Sequence, residues 1–335
     1  MLIAAAHTFK PIHTNDDSLR FNAVYLRISF QLLTCMMLKK IIRFTLRLVL
    51  ITVALFVIFL LIADRYVQFR MDDEELQQYF NAKHVPLHIG HYKTFGRTMR
   101  YAWTGNDTSA TILFIHGAPG SLSYYRDYLA DSQLLTKATM FSVDRPGYGY
   151  SGLAETVPFI EQQALMIKPI IDSLHKIHHP VIIVAASYGT AVACRITMDN
   201  PFLVDGLVLI GPALAPGEEK TLWFTPAIEH PLLNWGVPRV LRPANTEKLH
   251  HKEELEKLLP LWPKLHVPVI YMQGANDGLI YTTNLDFAKK QLVNVPYLET
   301  NLVPGRGHLL VRPERKLITQ KIIKMLGLVK QYQVK

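Results

Sequence analysis

From about residue 88 the chain alternates short apolar runs with longer stretches of helical periodicity. Eight runs, at 88–94, 98–104, 111–115, 139–143, 181–185, 207–210, 269–272 and 298–303, have the length and β-branched content of strands. The first two are expected to form a hairpin across Phe95-Gly96-Arg97. Helical periodicity marks 123–135, 159–178 and 313–326, with Pro169 expected to kink the second of these. The 181–185 run ends at Ala186-Ser187-Tyr188-Gly189, where small residues permit a sharp turn into a further helix. That helix is expected to stop near Asn200-Pro201, because proline disfavours helix at the residue before it. Alternation of this kind predicts a largely parallel sheet covered by helices on both faces. Residues 213–266 break the rhythm with Trp223, Phe224, Trp235, Trp262 and several prolines. They are too long for an ordinary connection and are read as a small helical cap inserted over the sheet. The core is thus assigned to 88–212 and 267–330.

The pattern before residue 88 is different. Residues 48–63 carry no charge, and extending back to Ile41 gives 23 residues interrupted only by Arg43 and Arg47. At ~1.5 Å per residue such a helix is about 35 Å long, enough for a hydrocarbon core of ~30 Å. A transmembrane signal anchor over 37–63 is expected, with a polar, partly helical stalk over 64–87. Lys39, Lys40, Arg43 and Arg47 precede the run, and Asp72-Asp73-Glu74-Glu75 follows it. The positive-inside bias implies a single pass with the N-terminus cytoplasmic and the remainder extracytoplasmic, on the periplasmic side of a bacterial membrane. No Ala-x-Ala site closes the run, which favours a retained anchor. Residues 1–36 show no sustained period. They read either as a disordered cytoplasmic extension or as sequence preceding a true start at Met37.

Composition narrows the picture. Of 335 residues 49% are hydrophobic, so a sizeable core is available. The net charge is +9, but seven lysines and arginines against two aspartates lie before residue 64. That placement argues for membrane topology and against nucleic-acid binding. Cys35 and Cys194 are not expected to pair, and Cys194 reads as a small buried hydrophobe. Neither a phosphate loop nor a dinucleotide fingerprint occurs, so no cofactor is expected. No metal is expected either. His175, His178 and His179 fit cations near a helix end. His84, His88 and His91 fit a solvated face, and His250 and His251 the surface of the cap.

Four loops that follow strands carry suggestive groups. They are His116-Gly117-Ala118-Pro119-Gly120, Asp144-Arg145-Pro146-Gly147-Tyr148-Gly149-Tyr150-Ser151, Ala185-Ala186-Ser187-Tyr188-Gly189, and the pair Asp277 and His308 after the last two strands. The C-terminal ends of parallel strands are where open α/β sheets place their sites. Over residues 88–328 the chain resembles the α/β-hydrolase superfamily. The superfamily elbow is Gly-x-Ser-x-Gly, and this sequence reads Ala185-x-Ser187-x-Gly189, alanine replacing the first glycine. The order serine, acid, histidine also matches.

The resemblance implies an α/β-hydrolase fold with Ser187 as nucleophile, His308 as base and Asp277 as the acid that orients it. It further implies an oxyanion hole made by the backbone N–H groups of Ala118 and Tyr188. His116 and the 144–151 loop are implied to be scaffold. Serine at the elbow selects acyl transfer, so hydrolysis of an ester or related acyl bond is expected. The aromatic cap residues Trp223, Phe224 and Trp235 suggest an apolar lining and a small-molecule or lipid-like acyl substrate. Two alternatives stand beside it. The His116–Gly120 loop is also similar to that of proline iminopeptidases, with Glu218, Glu219 and Glu229 as candidate cap acids for a substrate amine. A non-catalytic binding module on the membrane is the other.

Overall fold

The computed structural model describes residues 16–106, 110–177 and 180–333. It contains two compact units, one ending at Phe59 and one running from Leu60. His178 and His179 lie outside the described residues.

The first unit is the greater part of a single helix, α1, Asp16–Tyr66. Its span Val24–Tyr66 is long and apolar enough to cross a membrane, and none of its most apolar window is buried within the chain. The helix begins at Asp16, within the stretch read either as a disordered cytoplasmic extension or as sequence preceding Met37. Residues 24–36 are all exposed, so no buried face imposes an amphipathic period there.

In the second unit eight strands form one sheet. They are β1 (His88–Thr94), β2 (Arg97–Thr104), β3 (Thr111–Ile115), β4 (Thr139–Val143), β5 (Val181–Ala186), β6 (Gly206–Ile210), β7 (Val269–Gly274) and β8 (Leu298–Val303). Their order is β1-β2-β4-β3-β5-β6-β7-β8. The β1/β2 and β2/β4 pairs are antiparallel, and every other pair is parallel. The β1–β2 turn is tighter than expected. Arg97 pairs with Thr94 inside the ladder, and Phe95 and Gly96 alone make the turn with φ of 47° and 73°.

Alternation along each central strand fills two cores, one on each face. Val181, Ile183 and Ala185 of β5 enter one cluster; Ile182, Val184 and Ala186 enter the other. Each fully buried Val or Ile contributes about 1.5–3 kcal/mol of transfer free energy. Helix α2 (Asp73–Asn81) opens with a capping box between Asp72 and Glu75 and buries Leu76 and Phe80 in the second cluster. The segment expected to be a polar, partly helical stalk thus carries a helix whose apolar side is buried in the core. Helix α3 (Ile160–Ile177) covers the first face and runs on past Pro169. Helix α4 (Tyr188–Asp199) follows the elbow.

The expected helix over 123–135 is three short helical turns, Leu122–Tyr125, Arg126–Leu129 and Ser132–Leu135. Asp131 interrupts it by capping the last turn, its carboxylate accepting from Gln133 N at 3.0 Å. Between β6 and β7 lie helical turns Thr225–Ile228 and Pro231–Asn234, then helix α5 (Leu241–Leu258). Helix α6 (Thr283–Gln291) joins β7 to β8.

The closing helix α7 (Arg315–Gln333) is longer than expected and packs Ile318, Ile322, Met325 and Val329 onto the second core. It is also tied to β8. Glu299 accepts from Lys321 Nζ at 2.5 Å and Lys324 Nζ at 2.7 Å. Burial pushes the Glu299 carboxyl up, but the two ammonium groups, Tyr297 and Asn301 outweigh it and bring it down to about 2. A depressed carboxyl stabilises the fold fully above its ordinary value of 4.5, and the contribution is lost as pH falls through about 2. Glu299→Gln is therefore expected to lower the urea midpoint at pH 7, with the gap to wild type closing between pH 4.5 and 2. A gap constant over that range contradicts the coupling.

Candidate active site

Ser187 stands between β5 and α4 with φ 50° and ψ −129°, a conformation non-glycine residues rarely adopt. The bend is held by its neighbours. Ser187 N donates to Ile210 O of β6 at 2.9 Å, and Thr190 N donates back to Ser187 O at 2.9 Å. Close packing fixes the residue types around it. A Cβ on Gly189 would lie 2.5 Å from His116 O, and one on Gly117 would lie 2.8 Å from the Ser187 Cβ. Ala185 is fully buried at the first elbow position, so its methyl is accommodated there.

The loops after β7 and β8 bring the other two groups to this bend. His308 Nε2 lies 2.9 Å from Ser187 Oγ, and His308 Nδ1 lies 2.8 Å from Asp277 Oδ2. These partners assign the tautomer: Nδ1–H donates to the carboxylate, and Nε2 accepts from the hydroxyl. The other Asp277 oxygen accepts from Leu279 N at 3.0 Å and Ile280 N at 2.9 Å. Burial pushes this carboxyl up, but His308 and the two amides outweigh it and hold it below the usual aspartate range. Ala118 and Tyr188 flank the serine. Among the described hydrogen bonds neither backbone N–H donates to a protein acceptor. The Tyr188 amide opens α4, where the first N–H groups of a helix lack an intrahelical partner.

His116 is fully buried and takes no part in this chain. Its Nε2 accepts from Arg145 N at 3.0 Å, so its Nδ1–H donates to Gly117 O at 2.7 Å. Burial, and then the Arg145 charge, hold its pKa well below the ordinary value, leaving it a neutral strut. Asp144 is likewise buried. Its carboxylate accepts from Leu122 N at 2.7 Å and Tyr150 N at 2.9 Å, shaping the loop as scaffold.

Two cavities meet at Ser187, His308 and Ala118. The larger, about 770 Å³, lies on the Gly117–Gly120 side. The smaller, about 360 Å³, lies under the helices between β6 and β7. Leu222, Phe224, Ile228 and Leu241 line the smaller one. Trp223 and Trp235 do not: they are 90% and 51% exposed, which corrects the expectation that they line a pocket. Trp262 is buried in the core against Phe287.

Several groups at the site were not expected. His251, read as cap surface, is buried. Its ring lies 4.8 Å from the Tyr188 ring at a tilt of 33°, and its Nδ1 lies 2.9 Å from Glu219 Oε1. Glu247 of α5 pairs with buried Arg145 through contacts of 2.7 and 3.2 Å, and also accepts from Gln163 and Tyr148, each at 2.7 Å. Glu254 accepts from Ile160 N at 2.9 Å, capping α3. Phe69, Arg70 and Met71, from the expected stalk, line the larger cavity. The Asp72-x-x-Glu75 spacing was the available signal that a helix begins after this segment. Cys194 is buried and its thiol is pushed up by burial alone, as a packing residue would be. Among the described residues no cluster of histidine, cysteine or carboxylate side chains is arranged to hold a metal ion.

Comparison with known proteins agrees with this architecture. No curated protein sequence matches the chain. Among solved structures, a putative lipase from Acinetobacter baumannii AYE is 18% identical, with a TM-score of 0.57, covering 77% of this chain and 96% of its own. A membrane phospholipase A described as a bacterial virulence factor is 18% identical, with a TM-score of 0.58, covering 86% and 99%. The carboxylesterase CesB from Bacillus subtilis is 19% identical, with a TM-score of 0.56, covering 75% and 95%. These likenesses are of fold. The profile of the alpha/beta hydrolase family matches residues 112–315, more than half of the sequence. The chain therefore belongs to the alpha/beta hydrolase family, a family of hydrolytic enzymes.

Proposed function

We propose that the protein is a serine hydrolase that cleaves a carboxylic ester, or a related acyl bond, through an acyl-enzyme. The observation that carries this is the unbroken relay from Asp277 through His308 to Ser187, at 2.8 and 2.9 Å, ending where two cavities meet. In the forward step Ser187 Oγ bonds to the carbonyl carbon while its proton passes to His308 Nε2. Asp277 stabilises the resulting imidazolium, and the N–H groups of Ala118 and Tyr188 stabilise the oxyanion. Collapse of the intermediate breaks the bond to the leaving alkoxide, which takes the proton from His308. Water, deprotonated by the same imidazole, then attacks the acyl-enzyme; the acid departs and Ser187 recovers its proton.

The apolar walls of both cavities fit an acyl or lipid-like group. A phospholipase and a lipase among the structural relatives point the same way. Helix α1 supports a single-pass anchor. The basic flank before its apolar run supports a cytoplasmic N-terminus and an extracytoplasmic catalytic domain.

An aminopeptidase needs an uncommitted acid to hold a substrate amine. Of the three candidates only Glu219 lines either of the two cavities at Ser187, and it is bound to Lys248 at 2.8 Å and to His251. Glu218 is bound by Thr283, and Glu229 by Asn245 and Thr246. The ester reading is preferred on that ground. Rates on p-nitrophenyl esters of graded chain length and on amino-acid p-nitroanilides separate the two. Ester turnover rising with chain length is expected. Turnover confined to anilides contradicts it, and turnover of neither favours a binding module.

A further inference from the structure

The larger cavity has a charge pattern that ester chemistry alone does not require. Three arginines line it, Arg70, Arg126 and Arg312, and no aspartate or glutamate is among its lining residues. They come from three separate segments: the stretch before α2, the turn Arg126–Leu129 and the loop after His308. Most other arginines of the domain are neutralised, whereas Arg242 donates to the backbone carbonyls of Val237 and Trp235. Arg97, Arg100, Arg145 and Arg195 each pair with a carboxylate. Among the described ion pairs none involves the three in the cavity.

Each of the three lies instead over a tyrosine ring. Arg70 is 4.3 Å from the Tyr150 centroid, Arg126 is 5.0 Å from Tyr79, and Arg312 is 5.8 Å from Tyr124. Such stacking orients a guanidinium. Arg70 spends its Nε on Gln68 Oε1 at 2.8 Å and its Nη1 on Gly149 O at 2.7 Å, so among the described hydrogen bonds only its Nη2 is uncommitted. Arg126 is the least satisfied. Its Nε is buried without a hydrogen-bond partner, and its Nη1 meets only the weak acceptor Met71 Sδ, at 3.0 Å. The nearby Asp127 carboxylate is occupied by the Tyr79 hydroxyl at 2.5 Å. A buried cationic donor without an acceptor is costly, and an oxyanion in the cavity relieves that cost through charge-assisted hydrogen bonds.

We propose that this cavity is a subsite for an anionic group on the ester substrate, held by Arg70, Arg126 and Arg312 beside the apolar surface of Phe69, Leu309 and Val311. The substrate class is then an amphipathic ester with a phosphate or carboxylate close to the scissile carbonyl. The assignment rests on the serine-hydrolase reading above and narrows it. Phosphate and carboxylate share this chemistry, and the substrates below distinguish them.

The test uses the full chain in detergent and three dodecanoyl esters, those of glycerol, glyceric acid and glycerol 3-phosphate, with release of dodecanoic acid as the readout. Wild type is expected to favour at least one anionic ester over the neutral one by about ten- to a hundredfold in kcat/KM, the size of one or two charge-assisted contacts. The better anionic ester identifies the group. Arg126→Gln combined with Arg312→Gln is expected to lower the anionic-to-neutral ratio at least about tenfold, chiefly through KM. Arg126→Lys with Arg312→Lys restores part of it. Raising the salt from 0.05 to 0.5 M is expected to shrink the ratio as well. Equal rates on all three esters, or a ratio that the glutamines leave in place, overturns the proposal. Labelling of Ser187 by a fluorophosphonate, run in parallel, keeps the two readings apart. If Ser187 is labelled but no anionic preference is found, the subsite fails alone; if Ser187 is not labelled, the hydrolase reading fails and the subsite with it.

Discussion

Ser187→Ala is expected to lower ester hydrolysis by roughly 10⁴- to 10⁶-fold, the scale on which removing a triad nucleophile acts. Removing the hydroxyl leaves His308 Nε2 with nothing to deprotonate, although Asp277 still orients the ring. The loss should appear in kcat, because the walls of both cavities remain to bind substrate. Folding should be little affected. The bend at Ser187 is held by backbone bonds to Ile210 and Thr190, neither of which needs the side-chain oxygen. His308→Asn should cost a comparable factor, and the double variant little more than either alone, because the relay acts as a unit. An additive double variant contradicts the relay.

Glu247→Ala is expected to be the most damaging change to the fold, at about 3–5 kcal/mol, the cost of leaving one partner of a buried ion pair uncompensated. Arg145 and Glu247 are both buried, and Glu247 is the acceptor for Arg145, Gln163 and Tyr148 together. Burial pulls the Arg145 guanidinium down, but Glu247 more than reverses this and keeps it firmly charged. The cation cannot escape by losing its proton, so the penalty stands. Glu247→Gln keeps the shape and one acceptor and should cost less. Urea unfolding of the detergent-solubilised chain measures both. Activity should fall as well, because Arg145 N holds His116 beside the Gly117–Gly120 loop that lines the larger cavity. Alanine and glutamine variants equal in stability to wild type contradict this account.

The central sheet was legible because its strands are short, apolar and bounded by turn residues. All eight expected runs are strands, four with the expected ends and four with one end moved by one or two residues. The order Ser187, Asp277, His308 was legible as well, since each group follows a predicted strand. What was not legible has physical causes. Helix α5 buries a face that hydropathy reads as surface, because Glu247, His251 and Glu254 point inward to Arg145, Glu219 and the start of α3. A polar residue satisfied inside the fold cannot be told from a solvated one by its identity alone. Phe69 to Met71 looked like linker because three residues between two helices carry no period, yet tertiary contact brings them to the cavity. The exposed aromatics Trp223 and Trp235 misled in the opposite sense, apolar residues being common on protein surfaces.

The most direct test of the account is reaction of the full chain with a fluorophosphonate, followed by intact mass and peptide mapping. The predicted result is a single adduct on the Ser187 peptide, with loss of ester hydrolysis in proportion to labelling and no adduct on Ser187→Ala. Labelling on another residue, or ester hydrolysis that continues when Ser187 is fully modified, would contradict it.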